Sequence, residues 1–464
     1  MEHRPRLSAA GRLRTNVSNR SAAARGQIPL LLARLAPFRR TLGTTAGLVV
    51  AIMVTSATGF VFWWMAARMF PAEAVGLAGA AVSAMLLLSQ IAVLGLGTQL
   101  AGVLHRESRA ASLAMTALLA AAGAGVVLAL GFAAGTPLLS PDLSFLSAGP
   151  LQLTVFIAGV SLTTLASVLD QVLVSLFRNA YQLLRNIIFS FSRLAVLALA
   201  AALLAPTGIV IYGAWMVGVL VSLLIVGVLV ARGRHGHDLR PLMWGPLRQM
   251  ARSAFSHHVL DLSRSSSVWL LPLLVTVLLS PELNASFYVA LLLANFVAVV
   301  GKSATFTLYI VGARAPQEMW RQLRLTLGIS LLTAVAGTVM LTLVGLQLLG
   351  AFGPGYDAAY PAVAVLTLSC LPLAVKDHWI AIRRVQGNVA SAAVIGVLLL
   401  AAELTASGLG AMNGGLLGLA VARLGVLAIQ AVFMTPIVYR SLFPGRLTAG
   451  AEVLADRPPP ELEG

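Results

Sequence analysis

Charged residues are scarce in this sequence. Only 10% of its 464 residues are Asp, Glu, Lys or Arg, against about 25% in a typical soluble domain. Hydrophobic residues make up 58%, so too few polar side chains remain to cover a water-facing surface. The shortage of charge excludes an ordinary soluble globular protein and indicates that the lipid bilayer is the solvent of most of the chain.

Cysteine is almost absent as well. The single cysteine, Cys370, cannot form a disulfide within the chain and lies in an apolar run, where we expect a small core residue. His257 and His258 are adjacent, so they point to different faces of a helix and make a poor metal site. Because no nucleophile–base pair or metal cluster is visible, we expect neither enzymatic activity nor a cofactor. The sequence does not identify a coupling ion.

Cations are lacking on one side of the predicted membrane. The apolar runs predict about twelve transmembrane helices of about 20 residues each. Arginines cluster in the N-terminal tail, in every second gap and in the C-terminal tail, whereas the other gaps are short and hold almost no cation. By the positive-inside rule, both chain ends are predicted to lie in the cytoplasm. The same rule accounts for the net charge of +16, so no nucleic-acid partner is expected.

A weak internal repeat divides the predicted helices into two sets of six. Phe62-Trp63-Trp64 leads to Pro71-Ala72-Glu73, and Val268-Trp269-Leu270 leads to Ser280-Pro281-Glu282. We therefore predict an all-α protein of the cytoplasmic membrane with two pseudo-symmetric six-helix lobes. Its predicted parts are a basic cytoplasmic tail (1–40), an N-lobe (41–231), a basic cytoplasmic connector (232–252), a C-lobe (253–441) and a disordered cytoplasmic tail (442–464).

Charged residues inside the predicted spans are the first candidates for function, because each is costly in the bilayer unless it is paired or hydrated. Asp170 and Arg193 lie on neighbouring spans within side-chain reach of each other, and Glu403 and Arg423 lie at similar depth in the last hairpin. We expect both couples to be structural charge pairs between adjacent helices.

The seventh predicted span is polar in its cytoplasmic half, which predicts a water-filled cavity open on that side. We expect the first span to face this cavity from the other lobe. Asp261 either pairs with Arg264 on the same helix or contacts substrate, and Lys302 on the next span is a further possible partner of Asp261. The candidate binding residues are His257, Asp261, Arg264, Ser265 and Lys302.

The predicted cavity keeps a positive surplus under each of these pairings, which suits an anionic ligand such as phosphate. Arginine binds phosphate through two parallel hydrogen bonds and keeps its charge at any ordinary pH. Arg264 is therefore the first candidate for a phosphate contact.

Several motifs resemble those of one transporter superfamily. The segments 70–77 and 88–97 resemble the first hairpin of polysaccharide flippases of the multidrug/oligosaccharidyl-lipid/polysaccharide exporter superfamily. Phe352-Gly353-Pro354-Gly355-Tyr356 resembles that family's entry to its tenth helix, and 415–420 its last helix. The resemblance covers residues 40 to 440.

The resemblance implies two six-helix lobes that work by alternating access. The implied substrate is a polyprenyl-(pyro)phosphate-linked oligosaccharide, held through its phosphates by cavity arginines. Membrane lipids, glycosyltransferases and a polysaccharide polymerase are the implied partners, in polysaccharide and cell-envelope biosynthesis.

Two other functions remain open at the level of sequence. A multidrug/cation antiporter of the same superfamily needs an acidic cavity, and Asp170 would have to supply it. A membrane polysaccharide polymerase or ligase usually carries a long outer catalytic loop, whereas the longest outer gap predicted here is Gly135 to Ala148.

Overall fold

The computed structural model describes residues 55–104, 107, 109–176, 178–232, 242–314 and 319–442. The predicted tails 1–40 and 442–464 lie outside the described residues, except for Leu442. So does the beginning of the first predicted span. From Ala57 onward, the described residues belong to one compact unit.

Seven helices precede the connector. Small residues, chiefly alanine, fill the buried faces of α2 and α4, which allows neighbouring helix backbones to approach closely. Leu94 and Gly95 have positive φ angles and separate α3 from α2. The helices are α1 (described from 55 to 69), α2 (Ala72–Ala92), α3 (Leu96–Val103), α4 (Ala110–Leu139), α5 (Pro150–Ser175), α6 (Asn179–Leu203) and α7 (Gly208–Arg232).

The helices after the connector end in one long broken element. Gly414 and Gly415 leave helical geometry inside Val389–Leu442, and Gly415 has a φ of +58°, so this element is two helices joined by a tight turn. The helices are α8 (Trp244–Leu278), α9 (Pro281–Arg314), α10 (Met319–Gly350), α11 (Tyr360–Leu368), α12 (Cys370–Val385), α13 (389–413) and α14 (416–442).

The helices account for the twelve predicted spans. In the described part of the chain, nine segments are long and apolar enough to cross a membrane, with α11 and α12 forming one segment and Val389–Leu442 counted once. The turn at Gly414 makes that last segment two crossings. α8 is not among the nine segments because half of it is polar, and α1 is not among them because it is described only from residue 55. These three additions bring the total to twelve.

The two copies of the internal repeat fold alike and pack against each other. In each copy a helix ends and the next begins at a proline, with α1 followed by α2 and α8 followed by α9. The amide of Asn284 donates to the backbone oxygen of Gly76 at 2.8 Å. A Cβ at residue 76 would lie 1.7 Å from the carbonyl oxygen of Pro281, so only glycine allows this approach.

The one arginine predicted on the outer side binds the end of a helix. Arg68 Nε donates to the backbone oxygen of Ala351 at 2.9 Å, and Trp64 Nε1 donates to the same oxygen at 3.0 Å. Ala351 directly follows α10, so a cation here also meets the negative end of that helix dipole. This contact explains why Arg68 departs from the charge alternation.

The second half of the predicted connector is helical. From Trp244 it forms the first turns of α8, and its buried residues Met243, Leu247 and Met250 share an apolar cluster with residues of α3, α4 and α5. The spacing of three to four residues places these side chains on one helix face. The beginning of α8 is thereby fixed against the first half of the chain.

The predicted outer gap between α4 and α5 is shorter than expected. α4 continues through Pro137 to Leu139, and a short 3-10 helix, Pro141–Leu146, fills most of the distance to Pro150. A segment this short has no room for a separate catalytic site, which weakens the polymerase or ligase alternative.

The predicted orientation leads to a labelling experiment. In a Cys370→Ser background, we expect Asp142→Cys and Asp357→Cys, both at exposed positions, to react with a membrane-impermeant thiol reagent added to spheroplasts. Gln386→Cys, in the exposed turn after α12, should react only after lysis. Labelling of Gln386→Cys in sealed spheroplasts would contradict the orientation with both chain ends in the cytoplasm.

Candidate functional site

Arg264 is bound by a carboxylate from another helix. Its Nε donates to Asp377 Oδ1 on α12 at 2.7 Å, and its Nη2 donates to Asp377 Oδ2 and to the Thr305 hydroxyl, each at 3.3 Å. The alternative in which Arg264 pairs with Asp261 on its own helix is therefore wrong. The Asp377 side chain is only 9% exposed, whereas 25% of the Arg264 side chain is exposed. Arg264 therefore neutralises Asp377, while part of the arginine side chain stays exposed.

Asp261 pairs with the end of α12 instead. Arg384 Nη2 donates to Asp261 Oδ1 at 2.6 Å, and 42% of the Asp261 side chain is exposed. The suggested Asp261–Lys302 pair is therefore wrong as well. The Ser265 hydroxyl donates to the backbone oxygen of Asp261 at 2.5 Å, and His257 lies partly exposed one helical turn earlier. Three of the five candidate residues thus lie on one face of α8, near the middle of the helix.

Arg264 and Lys302 line a cavity of about 40 Å³ that is enclosed by α8, α9, α10, α11, α12 and α14. Asp377 and Arg423 also line it, and its polar wall is completed by Asn295, Ser267 and Ser330. No carboxylate lies within ion-pair distance of Lys302 in the part of the chain that the structure describes. Of the five residues predicted from sequence, the structure brings two, Arg264 and Lys302, to this cavity.

A second group of buried charges lies next to the cavity. Arg423 Nε donates to Glu403 Oε1 at 2.9 Å, so the predicted contact between these residues is present in the structure. Lys376 Nζ donates to the other oxygen, Oε2, at 3.4 Å. All three side chains are at most 5% exposed. One carboxylate therefore serves two cations, and this group carries a surplus positive charge.

The two groups together form a network with a net positive charge. Its cations are Arg264, Lys302, Lys376 and Arg423, and its carboxylates are Asp377 and Glu403. Four cations against two carboxylates give a net charge of +2: Lys376 and Arg423 share Glu403, and Lys302 has no carboxylate within ion-pair distance among the described residues. Since uncompensated charge is expensive inside a membrane protein, such a surplus is expected where a site meets water or an anion. The arrangement is therefore suited to bind an anion.

The first half of the chain holds a separate ion pair. Arg185 on α6 donates two hydrogen bonds to the carboxylate of Asp170, from Nε to Oδ1 at 2.6 Å and from Nη2 to Oδ2 at 2.5 Å. The predicted Asp170–Arg193 pair is therefore wrong. Arg185 is a buried residue of α6 and does not belong to the cytoplasmic gap between α5 and α6.

Arg193 packs among aromatic rings. Its guanidinium carbon lies 4.5 Å from the ring centroids of Phe189 and Trp215 and 5.5 Å from that of Phe62. Nη2 also donates to the Thr58 hydroxyl at 3.4 Å. Cation–π contacts of this kind stabilise a buried arginine by an amount that grows as water is excluded. Arg193 is 1% exposed, so a structural role fits it better than substrate contact.

Sequence reasoning assigned no role to the charged turn of α12, where Lys376, Asp377 and His378 follow one another. All three are buried. The ring of His378 bonds to the Ala374 backbone oxygen at 2.7 Å and to the Thr326 hydroxyl at 3.2 Å. Three consecutive titratable residues in an apolar span were the available signal, because three such residues cannot all face lipid.

The triad of Lys376, Glu403 and Arg423 gives a stability prediction. Glu403→Gln should lower the melting temperature of the purified protein markedly, because breaking a buried ion pair typically costs about 3–5 kcal/mol and this change leaves two buried cations unpaired. The triple variant Lys376→Met, Glu403→Gln, Arg423→Met should recover much of the loss.

Glu282→Gln is the matched control, since Glu282 is exposed at the start of α9 and its loss should leave the melting temperature unchanged. If Glu403→Gln has the same melting temperature as Glu282→Gln, the triad contributes nothing to stability.

No family model matches the chain, and no curated protein sequence matches it. Solved structures match it over 86% of its length. An inward-facing multidrug resistance MATE family transporter of the MOP superfamily has a TM-score of 0.63 and 12% identity, with 98% of its own chain covered. An outward-facing transporter of the same description has a TM-score of 0.61 and 14% identity, with 96% covered.

A third structure is a MOP superfamily transporter from Pyrococcus furiosus, described by the reverse polarity of its binding pocket. Its TM-score is 0.58 and its identity 13%, with 96% of its chain covered. At these identities the likeness establishes the fold. The chain is an all-α membrane protein with the twelve-helix fold of the MATE transporters, which confirms the predicted fold class.

Proposed function

We propose that this chain is a transporter of the cytoplasmic membrane that moves a polyprenyl-(pyro)phosphate-linked oligosaccharide from the inner to the outer leaflet. The observation that carries the proposal is the net positive network around Arg264 and Lys302. A pyrophosphate is the charged part of such a substrate, and it would meet both cations in one place. Glycosyltransferases and a polysaccharide polymerase are the partners that the proposal implies.

Arg264 is the residue best suited to the first phosphate contact. Asp377 occupies Nε and Nη2, and a quarter of the side chain remains exposed. Asp377 thus fixes the orientation of the guanidinium before substrate arrives, which reduces the ordering cost of binding. Lys302 adds a mobile point charge beside it, and arginine and lysine often divide phosphate recognition in this way.

Movement of the phosphate requires that the site open to each side of the membrane in turn. The fold supports alternating access, because structures of the same fold are described in inward-facing and in outward-facing conformations. In this chain, the contact between Gly76 and Asn284 joins the hairpins predicted to lie on the outer side. We infer that this contact must separate when the site opens outward.

A multidrug/cation antiporter is the second candidate, since two of the similar structures are multidrug resistance transporters. A drug cation needs a carboxylate that is free to receive it. Within the described helices, each of the four carboxylates inside the spans already binds an arginine or lysine, and these are Asp170, Asp261, Asp377 and Glu403. The Pyrococcus furiosus transporter, whose pocket polarity is described as suggesting a different function, has the same fold. Polarity therefore favours an anionic substrate here.

Loss of Arg264 should abolish transport in cells that depend on this protein for surface polysaccharide. We expect Arg264→Ala to lose export of the polysaccharide while the protein remains in the membrane. Arg264→Lys should restore export only in part, because a point charge replaces a two-pronged donor. Surface polysaccharide is measured by immunoblot and protein content by quantitative blotting of membrane fractions.

Arg440→Ala is the matched control, because Arg440 is an exposed arginine near the end of α14 and should export normally. Sensitivity to cationic drugs is measured in the same strains. Normal export by Arg264→Ala, or loss of drug resistance without loss of polysaccharide, would overturn the phosphate-binding role and favour the antiporter.

A further inference from the structure

An apolar groove of about 440 Å³ lies between α4, α5 and α7, at the ends predicted to face the cytoplasm. It is lined almost entirely by aliphatic side chains, and Arg178 is the one charged residue that the described part of the chain contributes to its lining. It shares neither a residue nor a helix with the cavity around Arg264. The groove is therefore a separate feature, and its occupant does not follow from the proposed function.

Its dimensions correspond to one lipid chain in one leaflet. Along α7 the lining runs from Leu220 to Ala231, which is about 16 Å at 1.5 Å per residue. The hydrocarbon core of a bilayer is about 30 Å thick, so the groove is about one leaflet deep. These dimensions fit a single acyl chain.

The wall is formed by one apolar face of α5. Leu162, Leu165, Leu169 and Leu173 recur every three to four residues and line the groove. This spacing is typical of a helix with a dedicated apolar stripe. Asp170, which follows Leu169 directly, is instead bound by Arg185 of α6 and does not line the groove.

Each helix of the groove has an arginine at its predicted cytoplasmic end. Arg109 directly precedes α4, Arg178 follows the end of α5, and Arg232 is the last residue of α7. Their neighbours Ala111 and Ala231 belong to the lining. Among the described residues, the acid nearest in sequence to Arg109 is Glu107, whose carboxylate accepts a hydrogen bond from the backbone N–H of Arg109 at 3.2 Å. The mouth of the groove thus has a positive surplus.

We propose that this groove binds an anionic phospholipid of the inner leaflet. One acyl chain lies along the α5 leucines, and the phosphate lies among the three arginines. Basic pockets between transmembrane helices on the cytoplasmic side are suited to anionic headgroups, because attraction to the headgroup adds to burial of the chain. A zwitterionic lipid would fill the same groove but gain little from the arginines.

The test uses native mass spectrometry of the full-length purified protein, delipidated and then titrated with phosphatidylglycerol or phosphatidylcholine of identical acyl chains. We expect the protein to retain one phosphatidylglycerol in preference to phosphatidylcholine. Arg109→Gln, Arg178→Gln and Arg232→Gln should each weaken phosphatidylglycerol binding by about fivefold. Arg440→Gln, which removes an exposed arginine elsewhere, should leave it unchanged.

A second variant fills the groove without altering charge. Gly227 lines the groove, and a Cβ there meets no atom within 4 Å, so Gly227→Phe should place its ring in the lipid's position without a clash. It should reduce retention of both lipids. Gly213→Phe on the same helix is the control, because its Cβ also meets nothing within 4 Å and it does not line the groove.

Equal retention of the two lipids by the unaltered protein would overturn the proposal. Equal lipid retention by Gly227→Phe and Gly213→Phe would also overturn it. This comparison remains valid even if an arginine variant fails to fold. A polyprenyl phosphate is the third probe. If it displaces phosphatidylglycerol from the unaltered protein and from Gly213→Phe, the groove belongs to the transported lipid rather than to a phospholipid. Arg264 does not line the groove, so the Arg264 variants should leave these measurements unaffected, and the groove and the proposed function are tested independently.

Discussion

A charged side chain inside the hydrocarbon layer must be paired or hydrated, and this constraint organises the second half of the molecule. α12 brings Lys376 and Asp377 into the protein interior, where Asp377 binds Arg264 of α8 and Lys376 binds Glu403 of α13. Arg423 of α14 completes the set. Four helices are thereby linked through two carboxylates. Lys302 of α9 lies beside them without a carboxylate of its own in the described structure.

The surplus of cations has a stability cost that an anion would remove. In a low-dielectric interior, two neighbouring positive charges repel each other unless solvent or a ligand screens them. A bound phosphate would offset this repulsion, so binding energy and stability are coupled through the same residues. The arrangement is the opposite of an acidic drug-binding cavity, in which a free carboxylate waits for a cation. The functional proposal therefore depends on the positive net charge of the network more than on the fold.

Close packing of small residues determines where the two halves of the chain meet. Gly76 allows the backbones of α2 and α9 to touch at Pro281, and Asn284 adds a hydrogen bond across the same contact. In lipid, helix association depends on such close van der Waals contact and on polar side chains, because apolar surface gains little from leaving lipid. The contact holds the predicted outer hairpins together in this conformation.

Much of the fold was predictable because it depends on local properties of the chain. Apolar length predicted the spans, and matching depth predicted the contact between Glu403 and Arg423. The pairing of Arg264 was not predictable, since spacing on α8 favoured Asp261, whereas the actual partner, Asp377, lies 113 residues away in sequence. Residue spacing identifies which side chains are adjacent on one helix. It does not identify a carboxylate on another helix that binds the same arginine.

The predicted pairing of Asp170 with Arg193 is wrong for a different reason. The positive-inside rule counts Arg185 among the arginines of a cytoplasmic gap, which leaves the more distant Arg193 as the expected partner of Asp170. The structure buries Arg185 against Asp170 and leaves Arg193 to its aromatic neighbours. A charge rule that predicts topology does not distinguish an arginine at the membrane surface from one that is turned inward.

The most direct measurement is translocation in proteoliposomes that contain only this protein and a fluorescent polyprenyl-pyrophosphate saccharide. The quencher is impermeant and is added outside the vesicles. Fluorescent lipid that moves to the inner leaflet is protected from it, and lipid that moves to the outer leaflet becomes exposed to it. We expect the protein to move this lipid, and not a lipid of the same chain with a cationic headgroup, and we expect Lys302→Met to slow the movement. If the cationic lipid moves and the pyrophosphate lipid does not, the account of an anion-binding C-lobe cavity is wrong.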